Sequence, residues 1–194
     1  PEKFKILGDE VESYLVFSNS HDGSGAIKVA LTPVRVVCQN TLTLAINSAR
    51  RMWSAIHAGD VNQKLDEARK TLLLSELYMK SFTKEAEKLS NIRLTDFKVK
   101  EFINELIPLD SDSSLVRQKN VESLRNDMAT RYFKAPDLQG IPKTGWRFIN
   151  AVSDFATHTE PLRRTKNYKE NLFARTVDGH PIIDKAYEMI RSAS

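Results

Sequence analysis

An α+β fold is what this sequence predicts: a small antiparallel sheet first, then a mostly helical remainder with one long helix near residues 61–90. Three observations carry that expectation. Two β-rich runs, Ser13 to Ser18 and Ala26 to Thr32, flank a polar turn that holds two glycines. Apolar residues then recur at helical spacing from Leu65 to Leu89. Farther on, capping residues and prolines bracket a series of shorter amphipathic segments.

The hairpin comes first. His21-Asp22-Gly23-Ser24-Gly25 supplies an Asp-Gly pair, and glycine takes positive φ without steric cost, so the two runs fold back on each other. Ile27, Val29 and Leu31 alternate with Ala26, Lys28 and Ala30, which gives the second strand one apolar face. Pro33 marks a break or an edge position, and Val34 to Val37 forms a third short strand. Asn40-Thr41 caps a helix through Leu42, Leu44, Ala45, Ile46 and Ala49. Met52 to Ala58 returns as a strand ended by Gly59-Asp60.

The helical part begins at Val61. Leu65, Ala68, Leu72, Ser75, Met79, Phe82, Ala86 and Leu89 fall at alternating spacings of three and four, a heptad seam. Leu73, Leu74, Leu77 and Tyr78 widen that seam, so the helix packs on more than one neighbour, within its own domain or in a self-associated pair. Thr95 caps a helix that runs to Leu106 and stops before Pro108. Leu115 to Phe133 places Val121, Leu124, Met128 and Tyr132 on one face. Ala135 to Lys143, with two prolines and a glycine, is a loop. Thr144 to His158 is a helix with Trp146, Ile149, Ala151, Val152 and Phe155 inward. Asn167 to Arg175 adds a short helix, and Pro181 opens a last one through Ile183, Tyr187 and Ile190.

Composition bounds the function classes. The 194 residues suit one domain, sheet-rich and basic over 1–59 and helical over 60–194. Cys38 is the single cysteine, so no internal disulfide forms; within Val-Val-Cys it reads as a small buried hydrophobe in a reducing, cytoplasmic setting. No apolar run approaches the roughly 20 residues of a membrane span. The chain begins with Pro1 instead of Met, which suggests a portion of a longer protein.

Catalytic signals are absent from the pattern. His21, His57, His158 and His180 are scattered, and His21-Asp22 more readily shapes a loop than binds a metal. Asp22-Gly23-Ser24-Gly25 lacks the lysine of a phosphate loop, and no dinucleotide fingerprint exists, so no cofactor is expected. No pair of carboxylates stands in an apolar setting that would split their pKa values.

Charge is more informative. No Asp or Glu occurs between Gly23 and Gly59, while Lys28, Arg35, Arg50 and Arg51 lie there; the net charge of +4 resides in that one stretch. Trp53 and His57 are interleaved with these cations, and Arg163, Arg164, Lys166 and Lys169 form a second basic group. Cations hold phosphates and aromatic faces stack on unpaired bases, so this pattern points to single-stranded nucleic acid. The competing reading makes Trp53 a core residue and the arginines ordinary surface partners of acids.

Two blocks, Tyr14 to Ser24 (YLVFSNSHDGS) with Thr32 to Leu42 (TPVRVVCQNTL), and Thr144 to His158 (TGWRFINAVSDFATH), carry a likeness. The chain resembles the "phage/plasmid-like protein" family, a domain of unknown function found in phages, prophages and plasmids. The resemblance covers essentially the whole chain and implies the C-terminal part of a longer protein. It implies no catalytic residues. Its mobile-element setting implies a role in DNA replication, recombination or countering host defence, and a hairpin followed by a helix is compatible with phage single-strand annealing proteins, by fold-level analogy. The leading expectation is a non-enzymatic, self-assembling single-stranded DNA binder; the alternative is a protein-interaction factor, a host-defence inhibitor or scaffold subunit, without DNA affinity.

Overall fold

The computed structural model describes residues 3–18, 26–35, 52–55, 60–159 and 180–193. The architecture is α+β, an antiparallel sheet followed by helices. Four strands, β1 (Lys3–Ile6), β2 (Asp9–Ser18), β3 (Ile27–Arg35) and β4 (Met52–Ala55), pair antiparallel in the order β1-β2-β3-β4. The expected hairpin is β2 with β3, in register from Val11 opposite Arg35 to Ser18 opposite Lys28. Its turn at 21–25 lies outside the described residues, as do the helix expected at 42–49 and the one expected at 167–175.

Two features of the sheet depart from the sequence-based expectation. β1 was not foreseen, because four residues of alternating Lys and apolar character make a weak signal. It joins β2 through Leu7-Gly8, where φ is 52° and 86°. Two consecutive positive φ values are what a two-residue hairpin of primed type requires; glycine adopts one freely, whereas Leu7 is held there against steric cost. Pro33 is not a break: β3 runs through it to Arg35, so Val34 and Arg35 extend β3 instead of starting a third strand. Pro33 lies opposite Ser13 of β2 within that run and, lacking an N–H, supplies no donor to the ladder.

Among the described residues the helices are α1 (Val61–Asn91), α2 (Asp96–Leu106), α3 (Leu115–Lys134), α4 (Gly145–His158) and α5 (Pro181–Ser192), with a 3-10 turn at Pro136–Leu138. Each begins where a side chain satisfies an orphan N–H. Asp60, Thr95, Ser114 and Thr144 accept from Asn62, Lys98, Arg117 and Arg147, and the His180 ring accepts from Ile182. The seam of α1 and the leucines that flank it differ in exposure. Met79, Phe82, Ala86 and Leu89 are buried in the molecule's own core, whereas Leu65, Leu73 and Leu77 are at least half exposed.

α4 sits at the centre. Nine consecutive residues, Gly145 to Ser153, are buried. A helix apolar or buried all round must be enclosed by other elements. Phe148 meets Phe102 of α2 and Tyr132 of α3 at centroid distances of 5.6 and 6.0 Å. Trp146 stands edge-on to Phe82 of α1 at 6.3 Å, and Phe82 meets Phe4 of β1 at 5.7 Å, so sheet and helices share one continuous core. Gly145 has no room for a side chain: an added Cβ would lie 2.8 Å from Ile190 and 3.1 Å from the Leu89 carbonyl.

Two polar ties leave the first turn of α4. The Trp146 indole N–H donates to the Asp9 carboxylate at 3.3 Å, joining helix to sheet. The Arg147 guanidinium, 5% exposed, donates to the Tyr132 carbonyl from Nε at 3.1 Å and from Nη2 at 2.8 Å, and from Nη1 to the Ile141 carbonyl at 2.9 Å. Its charge faces the C-terminal end of α3, where carbonyls lack helical partners and the helix dipole is negative. Arg147→Ala would strand these carbonyls in the interior, at a cost of about 3 kcal/mol. The expected outcome is a lower urea midpoint with unchanged m-value; an unaltered midpoint would contradict this role.

Tyr132 generates a second expectation. Its hydroxyl is buried with no hydrogen-bond partner among the described residues, and burial pushes the phenol up to about 12. The unfolded chain releases this proton near 10, so stability falls as pH rises from about 10 to 12. Tyr132→Phe removes an unpaired group: urea unfolding should show unchanged or slightly higher stability at pH 7 and a shallower loss above pH 10. A loss beyond about 1 kcal/mol at pH 7 would show that the hydroxyl is bonded.

Candidate nucleic-acid interface

The β-register decides which side chains share a face, because directly opposed residues of an antiparallel pair lie on the same side. Phe4, Val11 and Arg35 are opposed in turn, as are Val29 and Trp53. This is the side that meets the helices, through Phe4 against Phe82 and Trp53 against α1. Lys28 is opposite Ser18 and Ser54 and belongs to the other side, with Lys3, Lys5, Glu10, Glu12 and Tyr14.

On the outer face the charges of β1 and β2 are mutually engaged. The Lys3 ammonium bonds Glu12 and, at 3.1 Å, Glu10; Lys5 lies 3.8 Å from Glu10. The Tyr14 hydroxyl donates to Glu12 at 2.8 Å. Lys3, then Tyr14, holds the Glu12 carboxyl below its ordinary value, and the same carboxylate raises Lys3 and Tyr14. The β1–β2 end of the face is thus locally neutralised. The acid-free character begins only with β3.

Trp53 belongs to the interior. It is 8% exposed, and its indole N–H donates to the Glu67 carboxylate of α1 at 3.2 Å. The ring anchors β4 to the long helix and presents almost no open face to a base, which corrects its expected role as a stacking platform. The spacing of Glu67 from the helix start offered no signal for this pairing.

Of the other expected contacts, Lys28 is half-buried on β3. Arg35 ends β3, its side chain outside the described residues. Arg50, Arg51, His57, Arg163, Arg164, Lys166 and Lys169 also lie outside them. Among the described residues no group of three or more His, Cys, Asp or Glu side chains could hold a metal ion. No helix there is long and apolar enough to cross a membrane.

Comparison with known proteins adds the family. No curated protein and no solved structure matches the chain. A family model matches residues 1–177, from β1 beyond α4 and short of α5. The chain accordingly belongs to the family described as "Domain of unknown function (DUF932)".

Proposed function

We propose that this protein is a non-enzymatic binder of single-stranded DNA, acting in replication or recombination of a phage or other mobile element and assembling with copies of itself. One observation carries the reading: the acid-free stretch that holds the whole positive surplus also supplies β3 and β4, which lie side by side in the sheet. Lys28 is the contact on the outer face of β3, and Arg35, Arg50, Arg51 and His57 are its companions in sequence, with the Arg163–Lys169 group as a second basic site. A hairpin meander followed by a 31-residue helix agrees with the annealing-protein analogy. Self-assembly draws its support from α1, whose Leu65, Leu73 and Leu77 are exposed.

A protein-interaction factor is the second reading, favoured by those same exposed leucines. Fluorescence anisotropy with a labelled single strand across a salt series separates the two. Single-strand binding releases counterions, so four phosphate contacts give a slope of about −3 for log affinity against log salt. Arg50→Glu with Arg51→Glu should abolish binding at moderate salt while the circular dichroism stays native. Leu73→Glu with Leu77→Glu should dissociate assemblies and leave monomer affinity intact. No binding at low salt would end the nucleic-acid reading and leave the protein-interaction one.

A further inference from the structure

A cleft outside the basic stretch lies where the β1–β2 turn meets the starts of α2 and α4. Its volume is about 490 Å³, within the range of small-molecule sites. Leu7, Leu94 and Pro142 form its apolar wall, and Asn91, Arg93 and Lys143 its polar side. The frame is backbone: Leu94 N–H donates to the Lys143 carbonyl at 3.0 Å, Gly145 N–H donates to the Ile92 carbonyl at 2.8 Å, and Arg93 bridges Thr144.

Most polar groups there are already engaged. The Thr95 and Thr144 hydroxyls cap α2 and α4. The Lys143 ammonium bonds both Asp96 oxygens, at 2.7 and 2.9 Å. The Asn91 amide N–H donates to the Glu87 carbonyl at 3.0 Å. Arg93 is different: its exposed guanidinium makes no hydrogen bond and no ion pair with the described residues. A guanidinium offers a planar fork of N–H donors that fits phosphate oxygens in pairs.

We propose that this cleft binds one nucleotide of a single strand, its phosphodiester on Arg93 and its base against Leu7, Leu94 and Pro142. The inference rests on the nucleic-acid reading above and adds a contact that the charge pattern does not contain. Charge selects the ligand. The Lys143–Asp96 pair is neutral, so Arg93 leaves one positive charge, matching the single negative charge of a phosphodiester. An apolar wall beside the cation suits a nucleotide better than a free inorganic anion.

Anisotropy of wild type, Arg93→Glu and Lys119→Glu with a labelled oligothymidylate tests this. Lys119 is an exposed cation on α3, and its reversal changes net charge equally. Arg93 is joined to Thr144 through its backbone, so circular dichroism should stay native in the variant. The expected result is about a tenfold loss of affinity at low salt for Arg93→Glu, with a salt slope shallower by about 1, and near-wild-type binding for Lys119→Glu. Wild-type binding with unchanged Arg93→Glu affinity, or equal losses in both variants, overturns the cleft and leaves the wider reading standing. Absence of wild-type binding overturns both.

Discussion

The structure turns on the first helical turn of α4, where adjacent residues reach in two directions. Trp146 places its indole N–H on Asp9 of β2, and Arg147 places its guanidinium on carbonyls of Tyr132 and Ile141. A buried guanidinium is tolerable only when its donors are satisfied, and the Tyr132 carbonyl at the open end of α3 and the Ile141 carbonyl of the following loop satisfy it without a carboxylate partner. Gly145, one residue earlier, lets this turn press against Leu89 and Ile190. Sheet, α1, α3 and α5 therefore take their positions from four consecutive residues, Thr144 to Arg147.

That arrangement separates two kinds of positive charge. Arg147 is consumed by the interior and serves only cohesion. Arg131 is likewise engaged, between Asp127 at 3.1 Å and Asp154 at 2.6 Å, tying α3 to α4. Lys3 and Lys5 are absorbed by Glu10 and Glu12 on the sheet. Cations that remain for a partner must come from elsewhere: from the acid-free stretch that opens at β3, and from Arg93 at the rim of the cleft.

How much of this was legible in the sequence varies with the range of the interaction. The cap at Thr95 and the Pro181 start are local signals, and α2 and α5 begin where those residues stand. The β2–β3 hairpin follows from the same kind of short-range chemistry. β1 escaped because two flanking lysines mask a strand whose only strong feature is the unusual Leu7-Gly8 turn. Pro33 reads as a break or an edge position because proline lacks a ladder donor, yet β3 continues through it with Ser13 of β2 opposite. The seam of α1 was visible, but not that Leu65 and the flanking Leu73 and Leu77 stay exposed. The site was least legible: Trp53 is claimed by Glu67 fourteen residues away, and nothing local distinguishes Arg93 from the paired cations around it.

Hydrogen exchange by mass spectrometry, with and without a saturating oligothymidylate, tests the central claim most directly: that β3, β4 and the Arg93 cleft face the nucleic acid while α4 is scaffold. Protection should rise over residues 26–35, 52–55 and 91–95, and α4 should exchange slowly and equally in both states. Added protection confined to α1 around its exposed leucines, or none anywhere in the chain, would contradict it.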